Sequence, residues 1–155
     1  MKLTLLAAAL VISGDMGGRV AQYALDVQFA RLSKAPVEFA GACQSACTLY
    51  LSLPHDQVCI KPGAWFGFHK AHGASPEVND LATRYMLSQY PLWVRRWIKR
   101  QGGLRSGIIR MNYTYASRYI RQCKPERGRH IKNKNRAVTL TPTERKQHVM
   151  DRNGR

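Results

Sequence analysis

Residues 41–69 read GACQSACTLYLSLPHDQVCIKPGAWFGFH and decide the fold, because they combine the patterns of several short elements. The apolar and β-branched residues before Gly41 are typical of a strand, and Pro54 ends an apolar helical run. The elements predicted in this region are, in order, a strand at 36–40, a tight turn at 41–43, a helix at 45–53 and strands at 58–60 and 64–68. Alternation of strands with a helix indicates an α/β fold.

Ser45 and His69 occupy positions that favour hydrolytic chemistry. Ser45 opens the predicted helix directly after a strand, where the first N–H groups lack intrahelical acceptors and the helix dipole is positive. The Ala46 amide is therefore a candidate oxyanion donor. His69 ends the last strand and is a candidate base for the Ser45 hydroxyl. The competing interpretation is an ordinary helix N-cap and an ordinary histidine at a strand end.

A glycine pair upstream adds to this arrangement. An apolar strand ends at Gly17 and Gly18, and a helix is predicted at 21–32. Without a Cβ, a glycine backbone can approach a reacting carbonyl closely, so either amide is a candidate second oxyanion donor. The apolar residues on one face of the helix are Ala24, Leu25, Phe29 and Leu32.

The segments GGRVAQYALDVQFARL, GACQSACT and GAWFGFH together resemble, in order and spacing, the Clp protease proteolytic subunit family and especially its exported bacterial relatives. The resemblance covers residues 10–123 and implies a ClpP/crotonase-like spiral of ββα units. It further implies a serine peptidase that acts on a peptide or protein substrate, forms a homo-oligomer and uses neither a cofactor nor a metal. The implied roles are nucleophile for Ser45, general base for His69 and oxyanion hole for Gly17, Gly18 and Ala46.

The chain departs from this family in three places, one of which is the strongly basic C-terminal end, where no match to the family is recognisable. The family's third catalytic residue is an aspartate, but the corresponding region, 104–120, contains no acid. The residue predicted at that place is instead Asn112 or Thr114, or Tyr115 beside them. A neutral residue orients an imidazole but stabilises an imidazolium less than a carboxylate does. Only sixteen residues precede the glycine pair, which predicts a fold truncated at its N-terminus. The alternative function is therefore a catalytically inactive protein for binding or assembly.

The four cysteines, Cys43, Cys47, Cys59 and Cys123, are candidates for disulfides in an oxidising compartment. Because Cys59 is predicted on the strand returning beside Ser45, a bridge to it from Cys43 or Cys47 would clamp the nucleophile turn. Other interpretations remain open, namely a thiol nucleophile at Cys43 or Cys47, or small unpaired residues in the core. The spacing does not match the paired cysteines of zinc modules.

The N-terminus has two interpretations. Lys2 followed by an apolar run at 3–12 has the form of a short secretory signal peptide. A strand at 8–13 leading into the glycine pair is the favoured interpretation. The resemblance to exported proteins suggests a periplasmic or envelope location, whereas a strand with no upstream signal would imply a cytoplasmic one.

The C-terminal part differs sharply in composition. Residues 118–155 contain twelve Lys or Arg and three acids, in a chain with a net charge of +16. We therefore predict an α/β domain at 1–123 and a disordered basic tail at 124–155. We expect such a tail to make weak, non-specific contacts with polyanions or with an anionic membrane.

Two helices are predicted between His69 and the tail. Ser75 is a good N-cap, and the helix after it should reach about residue 90. A second helix follows Pro91 and places Trp93 and Trp97 on one face. A stripe of this kind can rest on a membrane, but it more often packs on the core of its own domain.

Overall fold

The computed structural model describes residues 8–124, which form a mixed α/β domain with a five-stranded sheet. The predictions for the basic tail and for the first seven residues lie outside this range. The elements are β1 (Leu10–Asp15), α1 (Val20–Ser33), β2 (Val37–Gln44), a 3₁₀ helix (Ser45–Ser52), β3 (Val58–Ile60), β4 (Trp65–Phe68), α2 (Pro76–Gln89), α3 (Leu92–Arg100), β5 (Ile109–Met111) and α4 (Tyr113–Ala116).

The sheet is built around β2. Strand β1 pairs in parallel along one edge of β2, while β3 and β4 share the other edge, also in parallel. Strand β3 lies beside the first half of β2 and β4 beside the second half, and β5 closes the sheet antiparallel to β4. Because β2 and β4 run in the same direction, the residues that follow them emerge at the same edge of the sheet.

Strand β2 is longer than the sequence predicts. The small residues at 41–43 do not form a turn; they continue the strand to Gln44. The reason lies at Gly41, where a Cβ would stand 1.8 Å from the carbonyl oxygen of Ser13. The register of β1 against β2 shifts between Ile12 and Gly14 at this point. Gly41 therefore permits close approach of two strands, which is a common role of glycine inside a sheet.

The core lies between the sheet and the helices that pack against it. Phe39 on β2 and Phe66 on β4 meet edge to face, with ring centroids 4.8 Å apart. The 3₁₀ helix is buried from Ala46 to Leu51. Its Thr48 hydroxyl is hydrogen-bonded at 2.6 Å to the hydroxyl of Tyr90, a residue that is 2% exposed. The segment after Ser45 is thus fixed inside the domain.

The predicted helices are present, with small differences at their ends. Ser75 caps α2 by accepting a hydrogen bond from the amide of Val78, as its sequence predicts. Trp97 on α3 is buried and Trp93 is half-buried, so the aromatic stripe packs on the core. Within residues 8–124, no helix has the length and apolar character needed to cross a membrane.

The exposed face of α1 is unusually apolar. Leu25, Phe29 and Leu32 are 67%, 73% and 74% exposed. The helix packs on the domain through Val27 and Ala30. The apolar face indicated by the sequence is therefore not the face that α1 turns to the core.

Two disulfides are present, and neither of them joins Cys59 to Cys43 or Cys47. Cys43 is bonded to Cys47, and Cys59 to Cys123. The register explains why, because Cys59 lies beside Glu38, five residues before Cys43 on β2. At about 3.3 Å per residue this separates the two cysteines by roughly 16 Å, too far for a disulfide. The two disulfides indicate an oxidising, extracytoplasmic environment.

Candidate active site

Ser45 lies at the junction of β2 and the 3₁₀ helix in an uncommon backbone conformation. Its φ is 54°, in the left-handed region that non-glycine residues rarely adopt. Such a conformation costs about 1 kcal/mol or more and persists only where the surroundings enforce it. Here the Cys43–Cys47 disulfide spans the residue, and Gln44 and Ala46 on either side are buried. Ser45 itself stays partly exposed.

Gly17 packs directly against this serine. Its φ is +84°, and a Cβ built on it would stand 2.6 Å from the Cβ of Ser45 and 2.9 Å from the amide nitrogen of Ala46. Real Cβ atoms do not approach other atoms so closely, so only glycine fits. The structure therefore brings the glycine pair and the serine together. Gly17 and Ser45 are 28 residues apart in the chain.

The amides around Ser45 differ in their availability. The Gly17 amide donates a 2.8 Å hydrogen bond to Oδ1 of Asp15. Among the described residues, the Gly18 amide has no intramolecular acceptor, and Ala46 lies in the first turn of the 3₁₀ helix. Amides in that turn have no intrahelical partner. Gly18 and Ala46 are thus the two predicted donors whose N–H groups are free to bind a ligand oxygen.

Asp15 organises the glycine turn, a role that is not among those predicted from the sequence. Besides the Gly17 amide, its carboxylate accepts the hydroxyl of Tyr23 at 2.7 and 2.8 Å from its two oxygens. Burial and the Asp15 hydrogen bond raise the pKa of Tyr23 well above its ordinary value of 10, so the phenol keeps its proton. An aspartate two residues before a glycine is typical of an Asx turn, and this spacing of Asp15 and Gly17 is the sequence feature that indicates the role of Asp15.

His69 follows β4 at the sheet edge where Ser45 follows β2. Gln44 is in register with Gly67 on β4, so the two strands end side by side. The His69 side chain is buried, and its Nδ1 lies 2.7 Å from the carbonyl oxygen of Lys70. A carbonyl only accepts, so Nδ1 carries the proton and Nε2 has a free lone pair. Within residues 8–124, no hydrogen bond joins His69 to the Ser45 hydroxyl.

The Lys70 carbonyl that orients His69 is itself fixed. The Lys70 amide donates to the carbonyl oxygen of Arg105 at 2.8 Å. The next amide, that of Ala71, donates at 3.0 Å to the hydroxyl of Thr83, a buried residue of α2. The ring of His72, an exposed residue, lies 5.2 Å from that of His69.

The residues predicted in place of the catalytic aspartate have other contacts. Asn112 caps α4, because its Oδ1 accepts a hydrogen bond from the amide of Tyr115. Thr114 is exposed on α4, and the Tyr115 hydroxyl accepts from Arg100. A role for Asn112 or Thr114 beside His69 stays a prediction. The His69 partner that the structure does contain is a backbone carbonyl, which no side-chain pattern can indicate.

Two alternative chemistries depend on free thiols. A cysteine nucleophile at Cys43 or Cys47 needs a thiolate, and both sulfurs are bonded to each other. Cys59, Cys123 and Glu38 have ligand atoms within 4.8 Å of one another. Their sulfurs also form a disulfide, and Glu38 is paired with a lysine at 2.8 Å, so this cluster does not offer thiolate ligands.

No protein-family model and no curated protein matches this chain. The geometry around Ser45 therefore carries the inference of function. Four features define that geometry, namely the left-handed serine, the glycine pair against it, the free amides of Gly18 and Ala46, and the oriented histidine at the neighbouring strand end.

Proposed function

We propose that this protein is a serine hydrolase of the ClpP-like kind that cleaves peptides. Ser45 is the nucleophile, His69 is the general base, and the amides of Gly18 and Ala46 bind the oxyanion. One observation carries the proposal: Gly17 leaves no space beside a serine that is held in a left-handed conformation. Strain of this kind is concentrated at functional sites.

The reaction follows from these positions. The Ser45 hydroxyl oxygen attacks the peptide carbonyl carbon while its proton passes to Nε2 of His69. The carbonyl oxygen becomes an anion that the Gly18 and Ala46 amides stabilise. The C–N bond then breaks, and the imidazolium returns its proton to the leaving amine. Water, deprotonated by His69, hydrolyses the resulting ester in the same way and frees Ser45.

The histidine has no carboxylate partner in this scheme. The Lys70 carbonyl holds the required tautomer of His69, but its partial charge stabilises the imidazolium less than a full negative charge would. We therefore expect slow turnover compared with a complete Ser-His-Asp triad. Catalytic hydrogen bonds are often long before substrate binds, and we expect substrate binding to bring the Ser45 hydroxyl within hydrogen-bond distance of His69.

Labelling with a fluorophosphonate probe tests this proposal. The unmodified chain should be labelled, and Ser45→Ala should abolish the label. His69→Ala should slow labelling by at least about 100-fold, the scale of general-base catalysis. Ser106→Ala and His72→Ala, which change an exposed serine and an exposed histidine, should label like the unmodified chain. Equal labelling of the Ser45→Ala variant would rule out Ser45 as the nucleophile.

A second candidate function is binding or assembly without catalysis. It is favoured by the missing hydrogen bond between Ser45 and His69 in the described residues and by the use of the Gly17 amide within the fold. In that case the folded, unmodified chain would not react with the probe at all. The proposed hydrolase function also includes four further expectations. These are a peptide substrate, a homo-oligomer, a periplasmic or envelope location, and contact of residues 124–155 with polyanions.

A further inference from the structure

The part of the domain that follows α2 carries charge of one sign. Residues 90–124 contain nine Lys or Arg and no Asp or Glu. Helix α3 shows how these charges are displayed, because Val94, Trp97 and Ile98 are buried and its other side is exposed. The cations exposed on α3 are Arg95, Arg96, Lys99 and Arg100. Without an acid in this segment, the positive charge has no neighbour in the sequence to neutralise it.

Aromatic rings continue this positive surface from α3 to the turn after α4. Trp93 stacks on Tyr119, with ring centroids 4.7 Å apart and planes 4° from parallel. Tyr115 lies within cation–π distance of two arginines, since the guanidinium carbons of Arg100 and Arg118 are 5.7 and 5.8 Å from its ring centroid. We call the exposed and half-exposed residues of this region the basic aromatic surface: Trp93, Arg96, Arg100, Tyr115, Arg118 and Tyr119.

We propose that the basic aromatic surface binds the anionic headgroups of a lipid membrane. Guanidinium groups pair with lipid phosphates, and each cation held near an anionic membrane adds to the attraction. Tryptophan and tyrosine favour the headgroup region, because their rings are apolar and their N–H or O–H groups stay hydrated. Leu92, next to Trp93, is 52% exposed and adds apolar surface at the same end of α3. This proposal does not depend on Ser45.

The mode of binding follows from what α3 already buries. An interfacial helix normally inserts its apolar face into the bilayer, but the apolar face of α3 packs on the core. The protein therefore rests on the headgroups without inserting a helix, and its binding is sensitive to salt. A lipid is favoured over a nucleic acid because the disulfides indicate an extracytoplasmic environment. The Trp93–Tyr119 stack also covers ring surface that a base would need.

Co-sedimentation of the full chain with phosphatidylglycerol-containing vesicles tests this inference. The variant Arg100→Gln/Arg118→Gln should bind about 25-fold more weakly than the unmodified chain, since each arginine contributes about fivefold. The control Lys34→Gln/Lys70→Gln removes the same formal charge from exposed residues outside the surface and should lose less than about threefold. All of these chains keep residues 125–155, so any contribution of that segment is common to them.

Tryptophan fluorescence provides a second measurement on the same surface. Phosphatidylglycerol vesicles that contain a lipid with a nitroxide on its headgroup should quench the unmodified chain. Trp93→Phe should remove most of the quenching, because Trp97 is buried and Trp65 on β4 lies outside the surface. The proposal is overturned if vesicle binding is absent, if phosphatidylcholine vesicles bind equally well, or if both double variants weaken binding to the same extent. It is also overturned if the arginine variant weakens binding to a single-stranded oligonucleotide but leaves vesicle binding unchanged.

Discussion

Gly17 and Ser45 touch so closely that a methyl group on Gly17 would stand 2.6 Å from the Cβ of Ser45. This contact joins the turn after β1 to the start of the 3₁₀ helix. It also sets the distance between the glycine-pair amides and the serine. A change at Gly17 should therefore act on the proposed chemistry more than on the fold as a whole.

We predict that Gly17→Ala lowers fluorophosphonate labelling at least about 100-fold, because the new methyl group displaces Ser45 and the Ala46 amide. Gly63→Ala is the matched control, since Gly63 has a similar φ of +89° with no atom within 4 Å of an added Cβ. Both variants should lose about 1 kcal/mol of stability from the strained φ, and Gly17→Ala should lose about 1 to 3 kcal/mol more from the close contacts of its methyl group. Equal labelling of the two variants would contradict the proposed role of the Gly17 contact.

The two disulfides should have separable effects. Removing Cys59–Cys123, which closes a loop with a sequence separation of 64, should lower the free energy of unfolding by about 4 kcal/mol. Removing Cys43–Cys47, with a separation of 4, should cost about 2 kcal/mol but reduce labelling of Ser45 more strongly. Double alanine variants measured by urea unfolding and by probe labelling test this. The opposite order of effects on labelling would show that the short disulfide does not hold the nucleophile.

Thr83 should act on catalysis through the backbone that orients His69. Thr83→Val removes the acceptor of the Ala71 amide, loosens the Lys70 carbonyl and should slow labelling about tenfold, with a stability loss of about 1 to 2 kcal/mol. Thr83→Ser keeps the hydroxyl and should label like the unmodified chain. A pH profile of labelling separates this effect from simple destabilisation. If valine and serine variants gave the same profile, Thr83 would have only a structural role.

Tyr90 should make the fold sensitive to alkaline pH. Burial raises the pKa of Tyr90 well above its ordinary value of 10, so the folded state keeps a proton that the unfolded state loses. The resulting contribution to the free energy of unfolding is fully present below pH 10. It is lost as the pH rises further, by about 1.4 kcal/mol per pH unit. Urea unfolding between pH 9 and about 11 measures this dependence.

The variant Tyr90→Phe should lose about 1 kcal/mol of unfolding free energy at neutral pH, because its hydrogen bond to Thr48 is removed. Above pH 10 its unfolding free energy should fall less steeply with pH than that of the unmodified chain. Tyr85→Phe is the control, because Tyr85 lies on α2, the helix that ends directly before Tyr90, but is 37% exposed; it should change stability by less than about 0.5 kcal/mol. An unchanged slope in Tyr90→Phe would exclude Tyr90 as the source of the pH dependence.

Local features of the sequence predicted a substantial part of the structure. The Ser75 cap, the strand at 58–60 and the position of Ser45 at a strand end are present as predicted. The strand before the glycine pair is also present, although it runs from residue 10 to residue 15. Each of these depends on residues close together in the chain. The ClpP-like spiral, by contrast, stays a prediction beyond the observed mixed sheet.

Other features could not be predicted from the sequence, because they depend on residues that are distant in the chain. The small residues around Gly41 predict a turn, yet Gly41 lies within β2 and lets β1 and β2 approach each other. The cysteines pair as Cys43–Cys47 and Cys59–Cys123 because the register sets Cys59 beside Glu38. The partner of His69 is a backbone carbonyl, which every residue possesses and no motif can mark.

The sequence by itself determined which chemical groups are present, namely a serine after a strand, a histidine after a later strand and a glycine pair. Only the tertiary structure decided that Gly17 presses on Ser45, that Asp15 engages the Gly17 amide and that His69 is held by the Lys70 carbonyl. The physical reason is that caps, turns and apolar runs act over a few residues. Strand register and backbone contacts at the site are set by the packing of the whole sheet.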